Sequence, residues 1–264
     1  MDLGLKGKVA LVLAASKGLG RASAAALAAE GTVITIGARN RQALEQAARE
    51  IQRESGSRIL AVPTDVTKVE ELEAIVATTV HEFGRIDILV NNAGGPPAGT
   101  FETLDDGQWQ AAFELTLLST VRLIRLVLPY MRQVGEGRII NIVSTSVKEP
   151  IADLLLSNAI RPGVVGLAKT LSIELASHNI TVNNICPGRI LTDRLRKGSM
   201  IKEKIAQGMS ETEALSTIAQ DIPMKRLGKP EEVGALVAFL ASQQAGYITG
   251  TTLQIDGGLV RAIY

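Results

Sequence analysis

The chain alternates short apolar runs with longer helical patterns along almost its whole length of 264 residues. Most of the apolar runs are continuous and rich in β-branched residues, which is typical of strands covered on both faces. Strands joined through helices run parallel, and their crossovers are right-handed. We therefore predict an α/β fold with a doubly wound parallel sheet of about seven strands and helices on both faces. The predicted strands are 9–13, 33–36, 59–62, 86–90, 138–143, 181–185 and 252–255.

The stretches between the predicted strands carry helical patterns. Thr67 and Glu70 form a capping-box pattern, which predicts a helix start beside them. Segment 191–223 is long for a connection in a compact domain, and Ser210 with Glu213 predicts a helix inside it. Such segments are usually lids or binding loops, so we expect segment 191–223 to be a lid or a substrate-binding loop. Its apolar residues either cover a hydrophobic ligand or anchor the segment to the domain. The predicted helices are 20–30, 41–54, 68–83, 104–132, 153–177 and 231–241.

Composition narrows the class of protein. Hydrophobic residues make up 46% of the chain, enough for one large core, so we expect a single domain over residues 1–264. Lys+Arg (28) and Asp+Glu (27) nearly cancel, so we expect neither a nucleic acid nor a membrane surface as partner. The single cysteine, Cys186, fits a reducing, cytoplasmic location, and we expect a buried apolar residue rather than a nucleophile. No apolar run reaches the length of a transmembrane helix, and we predict no metal site.

Residues 13–20, Leu-Ala-Ala-Ser-Lys-Gly-Leu-Gly, follow the first strand and open the first helix. A glycine-rich turn in this position can present backbone N–H groups and a helix N-terminus to a pyrophosphate. The Cβ of Ala14 either crowds the tight turn or is accommodated by a negative φ. The turn therefore predicts a dinucleotide site. The alternative is a turn that needs small residues only because a helix packs against a strand.

The end of the second strand predicts which dinucleotide binds. An acid there accepts a hydrogen bond from the ribose 2′-hydroxyl of NAD(H), whereas an arginine accommodates the 2′-phosphate of NADP(H). This chain reads Gly-Ala-Arg-Asn at 37–40, with Arg39 and no acid, and Lys17 supplies a second cation. We expect NADP(H) to be preferred. NAD(H) stays an alternative, because both cations can instead be solvated surface residues.

Further short motifs accumulate along the chain. They are Asp65-Val66, Asn91-Asn92-Ala93-Gly94, Pro187-Gly188 with Thr192, Ile222-Pro223, Gly228-Lys229-Pro230-Glu231-Glu232 and Asp256-Gly257-Gly258. Together with the glycine turn they resemble the short-chain dehydrogenase/reductase family over practically the whole chain. The resemblance implies a Rossmann-type fold and a dinucleotide held by the residues that match the binding motifs of the family. These are Ser16, Lys17, Gly18, Leu19, Gly20, Arg39, Asp65, Val66, Asn91, Ala93, Gly94, Arg161, Pro187, Gly188, Ile190 and Thr192.

The catalytic positions of that family hold mostly different residues here. By the resemblance, Ser144 matches the catalytic serine. Ser157 stands at the tyrosine position, Arg161 at the lysine position and Thr116 at the asparagine position. Ser157 and Arg161, at i and i+4, share a helix face and can meet over one pocket. A serine is a far poorer acid than a phenol, and arginine cannot pass on a proton as lysine does. Pro162 biases Arg161 away from ordinary helical geometry.

Two charges between Ser144 and Ser157 are alternative proton sources. Lys148 and Asp153 lie in this segment, although each is more commonly an ordinary loop charge. A different interpretation is that the pocket has lost catalysis and that its residues only fill space.

The substitutions are similar to those of a divergent subgroup that resembles β-ketoacyl-acyl-carrier-protein reductases and has an incomplete catalytic tetrad. The resemblance implies an NADP(H)-dependent oxidoreductase that acts on a small carbonyl or alcohol, such as a 3-oxoacyl-like substrate, with Ser144 and Arg161 polarising the substrate oxygen. A nucleotide-binding protein without catalysis, serving as a structural or regulatory subunit, is the second hypothesis. Non-redox chemistry on the same fold, as in halohydrin dehalogenases, is the third. Family members commonly pair the two long helices at 104–132 and 153–177, so we expect a homotetramer.

Overall fold

The computed structural model describes residues 2–263 and contains one seven-stranded parallel sheet, as predicted. Its strands are β1 (Val9–Leu13), β2 (Val33–Ala38), β3 (Ile59–Pro63), β4 (Ile88–Asn91), β5 (Gly137–Ile142), β6 (Ile180–Pro187) and β7 (Thr252–Ile255). They lie in the order β3-β2-β1-β4-β5-β6-β7, so the direction of winding reverses between β1 and β4. In open α/β sheets, ligands bind beyond the carboxyl ends of the strands at this switch point.

Both faces of the sheet are buried. On β1, Ala10 and Val12 contact one apolar core, Leu11 and Leu13 contact the other, and all four are 0% exposed. Successive strand residues point to opposite faces, so a strand that is covered twice is apolar at every position. This requirement explains why the strands appear in the sequence as continuous apolar runs.

Helices cover both faces of the single Rossmann-type domain. Helices α1, α2 and α10 pack on one face, and α3, α5 and α6 pack on the other. The helices of the described residues are α1 (Gly18–Ala29), α2 (Arg41–Ser55), α3 (Val69–Phe83), α4 (Asp106–Phe113), α5 (Ser119–Val134), α6 (Leu155–Glu174), α7 (Asp193–Arg196), α8 (Ser199–Ala206), α9 (Glu211–Gln220) and α10 (Pro230–Ala241). None of them is long and apolar enough to cross a bilayer.

The predicted helix 104–132 is two helices joined by a π-helical turn. α4 ends at Phe113, the turn spans Glu114–Leu118, and α5 begins at Ser119. The Ser119 N–H donates to the carbonyl of Glu114 across the wider π step. The apolar pattern continues through the turn because the backbone stays right-handed. Such turns are frequent at functional sites, and this one contains Thr116.

Other local predictions need correction. Lys68 precedes α3, and Thr67 does not cap it, because the Thr67 hydroxyl donates to Asp65 Oδ1 at 2.8 Å. α6 runs through Pro162, so Arg161 keeps helical geometry. The predicted capping box of Ser210 is confirmed: it opens α9, the third of three short helices in segment 191–223.

Candidate active site

The glycine turn joins β1 to α1 at the switch point. Gly18 has φ +58°, a left-handed conformation that glycine adopts without strain. A Cβ at Gly20 would lie 2.4 Å from the Ala14 carbonyl oxygen and 2.9 Å from the Asn92 amide nitrogen. Only glycine fits where α1 approaches the end of β1 so closely. Ser16 and Leu19 are half-buried in the same turn.

Ala14 is strained. Its φ is +50°, in the left-handed region, so the accommodation by a negative φ that the sequence left open is wrong. An L-residue in this conformation costs about 1–2 kcal/mol because Cβ approaches the following carbonyl oxygen. The turn keeps its shape in spite of this cost, since Ala15 N–H donates to the Gly37 carbonyl at 3.1 Å.

Segment 191–223 meets the glycine turn through the start of α7. The Lys17 ammonium lies 3.2 Å from Asp193 Oδ2, and both side chains are exposed. Thr192 caps α7, and its side chain faces Gly18, where an added Cβ would lie 3.7 Å from Thr192 Cγ2. The cation predicted to meet a phosphate is therefore paired with an acid of the adjoining segment.

The residues predicted to select the cofactor lie at the ends of β2 and β3. Arg39 is exposed after β2. Burial acts to raise the pKa of Asp65, but hydrogen bonds from Thr67 and the charge of Arg39 outweigh it, and the pKa is lowered. Val66 is 8% exposed and lines a cavity beside the sheet. Arg39 is thus free to meet solvent or a ligand, and Asp65 stays ionised at neutral pH.

A row of amides crosses the carboxyl half of the sheet. Asn91 Nδ2 donates to Asn141 Oδ1 at 2.8 Å, Asn141 Nδ2 to Asn184 Oδ1 at 2.9 Å, and Asn184 Nδ2 to Thr252 Oγ1 at 3.0 Å. Every amide points its nitrogen toward β7. The Oδ1 atom of Asn91 is consequently left without a partner among the described residues, and it is buried.

A cavity of about 20 Å³ lies at this end of the row. Asn91, Ala93, Thr116 and Arg161 are among its lining residues. Like Asn91 Oδ1, the Thr116 hydroxyl is buried and has no partner within residues 2–263. A space of this size holds roughly one water molecule, and polar groups of this kind are normally satisfied by one.

Three of the four residues at the family's catalytic positions, Ser144, Ser157 and Arg161, are joined by hydrogen bonds through Ser146. Ser144 follows β5, and its Oγ accepts from Ser146 N–H at 3.1 Å, which leaves the Ser144 proton free. Ser157 Oγ lies 3.0 Å from Ser146 Oγ and accepts from Arg161 Nε at 3.1 Å. Ser157 is 7% exposed, so its hydroxyl is engaged inside the protein. Thr116 shares the cavity with Arg161 but no hydrogen bond joins them.

Burial and nearby charge alter two titratable groups here. Desolvation, followed by repulsion from Arg194, lowers the pKa of Arg161 to about 10. The guanidinium therefore stays protonated at neutral pH. Desolvation raises the pKa of the Cys186 thiol to about 12, although Lys148 and Arg161 act against it. Cys186 is 0% exposed and is an inert apolar residue, as expected.

The end of β6 completes the rim of the site. Pro187 is the last strand residue, and a Cβ at Gly188 would lie 2.6 Å from the Asp256 Cβ. Ile190 is buried and pairs with Gly228 in an isolated bridge. Gly94 follows β4 in an open position with no atom within 4 Å of an added Cβ.

The two alternative proton sources differ in placement. Lys148 is half-buried near Cys186, on which its charge acts. Asp153 is exposed in a left-handed turn with φ +59°, and its carbonyl accepts from Gly99 N–H at 2.7 Å. Asp153 thus has a backbone role in its loop, whereas Lys148 lies near the site.

Comparisons with known proteins identify the family of this chain. The sequence model of a family described as Enoyl-(Acyl carrier protein) reductase matches residues 13–260. The chain is also 36% identical to a 3-oxoacyl-acyl-carrier-protein reductase of Vibrio cholerae over 257 residues, covering 97% of this chain and 99% of the relative. The protein belongs to the short-chain dehydrogenase/reductase family. It falls among the ketoacyl-reductase-like members of this family of oxidoreductases.

Two other family members connect the fold with a nicotinamide cofactor. An NADPH-dependent reductase of Bacillus subtilis is 34% identical over 260 residues, covering 97% of this chain and 99% of the relative. The crystal structure of L-sorbose reductase from Gluconobacter frateurii, complexed with NADPH and L-sorbose, is 36% identical with a TM-score of 0.95 and covers 100% of both chains. The first relative is named as dependent on NADPH, and the second is complexed with it.

Three residues of this short-chain dehydrogenase/reductase site were missed from the sequence. Ser146 bonds the hydroxyl of Ser157, Asp193 pairs with Lys17, and the Arg194 guanidinium lies on the loop after β4. Ser146 could have been predicted from the sequence, because it lies two residues after Ser144. Asp193 and Arg194 contact segments that are far away in the chain, and no local sequence pattern predicts such contacts.

Proposed function

We propose that this protein is an NADP(H)-dependent reductase of a small carbonyl compound, such as a 3-oxoacyl-like substrate, and that it uses a modified set of polar residues. The observation that carries the proposal is the hydrogen-bonded group of Ser144, Ser146, Ser157 and Arg161 beside the switch point. This group lies next to a glycine turn of the kind that presents N–H groups to a pyrophosphate.

The residues present fit a dinucleotide. The cradle at Gly20 has no room for a Cβ, Gly18 is left-handed, and α1 begins directly behind them. Arg39 and Lys17 would meet the 2′-phosphate, and Asp65 with Val66 would meet the adenine. The rest of the cofactor would extend along Asn91, Ala93, Gly94, Arg161 and the segment from Pro187 to Thr192. When bound, NADPH supplies a hydride to the substrate carbon.

The chain itself supplies the polarising groups. Ser144 can donate its free proton in a hydrogen bond to the substrate oxygen, and Arg161 places a charged donor beside it. Ser157 is a weak acid whose hydroxyl already bonds Ser146 and Arg161, so it is not the proton donor. Water, or a side chain such as Lys148, delivers the proton. We expect slow turnover, because a positioned general acid contributes about 10²–10⁴ in rate.

A calorimetric titration followed by a carbonyl panel tests this function. NADPH should bind more tightly than NADH, and salt should narrow the difference because exposed phosphate contacts are screened. Arg39→Ala should weaken NADPH and spare NADH. Carbonyl compounds should then oxidise NADPH, which is measured as a fall in its absorbance. Ser144→Ala should slow this fall. Equal affinities for the two cofactors would refute the preference.

A nucleotide-binding protein without catalysis is the second candidate. The engaged, buried hydroxyl of Ser157 favours it, since no phenol stands at this position to protonate an oxygen. NADPH binding without turnover of any carbonyl compound would support this alternative over the reductase. We also propose that segment 191–223 is a lid over the substrate and that the protein is a homotetramer.

A further inference from the structure

Three cations surround the reacting end of the site. They are Arg161 on α6, Arg194 on α7 and Lys148 in the segment after Ser144. Within residues 2–263, none of the three forms an ion pair with a carboxylate. Arg161 and Lys148 are half-buried, and Arg194 is exposed. A positive charge that is partly removed from water without a carboxylate partner is costly, so Arg161 and Lys148 favour an anion beside them, and the exposed Arg194 is open to one.

Arg194 reaches from segment 191–223 back to the loop that follows β4. Its Nη1 donates to the Gly95 carbonyl and its Nη2 to the Pro96 carbonyl, each at 3.2 Å. The guanidinium lies directly on Gly95, where an added Cβ would be 2.1 Å from Nη2. Gly95 lies two residues after Ala93, which lines the cavity together with Arg161. These contacts place Arg194 at the mouth of the site.

Arg161 and Arg194 each have N–H groups beyond those used in their hydrogen bonds within the protein. Arg161 donates from Nε to Ser157 and from Nη1 to the Ile142 carbonyl at 3.4 Å, which is a long bond. A guanidinium has more donors than these bonds use, arranged as a fork that matches a carboxylate. The two charges repel each other, and this repulsion contributes to the lowered pKa of Arg161. An anion between or beside them relieves the repulsion.

Asp256 lies in the same region as these cations, but among the described residues it forms no ion pair with any of the three. The charge of Asp256 acts on Cys186, in the same region as Lys148 and Arg161. However, Asp256 Oδ1 accepts from Gly258 N–H and Oδ2 accepts from Val260 N–H, each at 2.9 Å. Both oxygens stabilise the turn after β7, and the single negative charge of Asp256 is fewer than the three positive charges of these cations. The site retains an excess of positive charge at its reacting end.

We propose that the substrate carries a carboxylate close to its carbonyl group, and that Arg194 binds this carboxylate while Ser144 and Arg161 face the carbonyl oxygen. This inference rests on the proposed reductase function and narrows its substrate class to oxo acids. An alternative role for Arg194 is to fasten α7 to the loop after β4, without any contact to substrate. The two roles differ in charge specificity, because a fastening residue does not distinguish an acid from its ester.

Titration calorimetry with acetoacetate and its uncharged methyl ester distinguishes the two roles of Arg194. The protein is saturated with NADP⁺, which cannot reduce either compound, so binding is measured without turnover. Acetoacetate should bind about tenfold more tightly than the ester, as expected for a hydrogen bond between charged groups. Arg194→Gln should remove this preference and leave the affinity of the ester unchanged. Arg194→Lys should retain part of it.

Arg196→Gln is the matched control. Arg196 lies on the same short helix but pairs with Glu211, so this variant should keep the full preference for the acid. Equal binding of acid and ester, no binding of acetoacetate at millimolar concentration, or an unchanged preference in Arg194→Gln would overturn the inference.

The same titration is repeated without cofactor, so that failure of the proposed function is recognised separately. If NADP⁺ does not bind, or if no carbonyl compound oxidises NADPH, the reductase proposal fails. A preference for acetoacetate that depends on Arg194 in the cofactor-free protein would then still support the anion site. Turnover of neutral ketones without any preference for oxo acids would overturn the proposed anion site and leave the proposed reductase function standing.

Discussion

At the scale of single residues, the glycine turn contains one position under strain. Ala14 has φ +50°, where a Cβ costs about 1–2 kcal/mol. Ala14→Gly removes this cost, but glycine loses about 0.5–1 kcal/mol through the entropy of the unfolded chain. We expect a net stabilisation of about 0.5–1 kcal/mol in urea unfolding. A destabilised Ala14→Gly variant would show that the turn is not strained.

Two other glycines predict opposite effects of the same substitution. Gly20→Ala brings a Cβ to 2.4 Å from the Ala14 carbonyl oxygen, so we expect a loss of about 1–3 kcal/mol in the free energy of unfolding. Gly166 lies inside α6 with no atom within 4 Å of an added Cβ. Gly166→Ala should therefore stabilise by about 0.5–1 kcal/mol. Equal effects of the two substitutions in urea unfolding would contradict this account.

At the scale of elements, α6 aligns the two replaced catalytic positions. Ser157 and Arg161 are one turn apart and hydrogen-bonded, and α6 passes through Pro162 without a break. The double substitution Ser157→Tyr with Arg161→Lys should raise the rate of NADPH-dependent carbonyl reduction by about 10²-fold, because a phenol is a much stronger acid. Circular dichroism establishes that the variant is folded before rates are compared.

The unmodified protein offers a measurement that can contradict this prediction. NADPH affinity should stay of similar order in the double variant, so that the gain appears in the rate. Fast reduction of a simple ketone by the unmodified protein, unaffected by Ser144→Ala, would show that the chemistry uses other residues.

The contact between α7 and the glycine turn predicts a competition. Lys17 pairs with Asp193 through two exposed side chains. Asp193→Asn frees the ammonium for the cofactor phosphate and removes a negative charge nearby. Exposed pairs contribute up to about 1 kcal/mol, so NADPH should bind about twofold to fivefold more tightly, and high salt should abolish the gain.

Asp221→Asn is the control for this competition. It removes the same charge from the same segment, but Asp221 pairs with Arg189 rather than Lys17. Fluorescence titration with NADPH should show unchanged affinity for this variant. An equal gain in both variants would mean that the effect comes from net charge and not from the Lys17 pair.

At the scale of the whole molecule, exposed apolar residues on the long helices agree with the proposed tetramer. Ile173 on α6 is 73% exposed, and Phe113 at the end of α4 is 44% exposed. Symmetric pairing of these helices would bury both side chains. Light scattering at micromolar concentration should give four times the mass of one chain. A monomeric mass would end this proposal.

Ile173→Glu should lower that mass by placing a charge in the paired face. Ile205→Glu is the control, since Ile205 is 43% exposed on α8, in segment 191–223 rather than on the two helices that we expect to pair. A mass that is unchanged in Ile173→Glu would place the interface elsewhere on the molecule.

The sequence by itself determined the strand pattern and the type of fold, and it named most of the polar residues of the candidate site. β1 and β7 have the predicted bounds, because an apolar run covered on both faces is a local signal. Gly18 and Gly20 also identified the turn, since their requirement for glycine is local. Ser144, Ser157 and Arg161 were recognised by position, and the structure brings them together through Ser146.

The tertiary structure decided what those residues contact. The left-handed conformation of Ala14 depends on how β1 and α1 pack, and no residue of the turn specifies it. The pairing of Lys17 with Asp193, and the position of Arg194 on Gly95, join segments that are remote in the chain. Periodicity and capping patterns report interactions within a few residues. The charge that surrounds the reacting end of the site arises from remote segments and emerges only when the chain is folded.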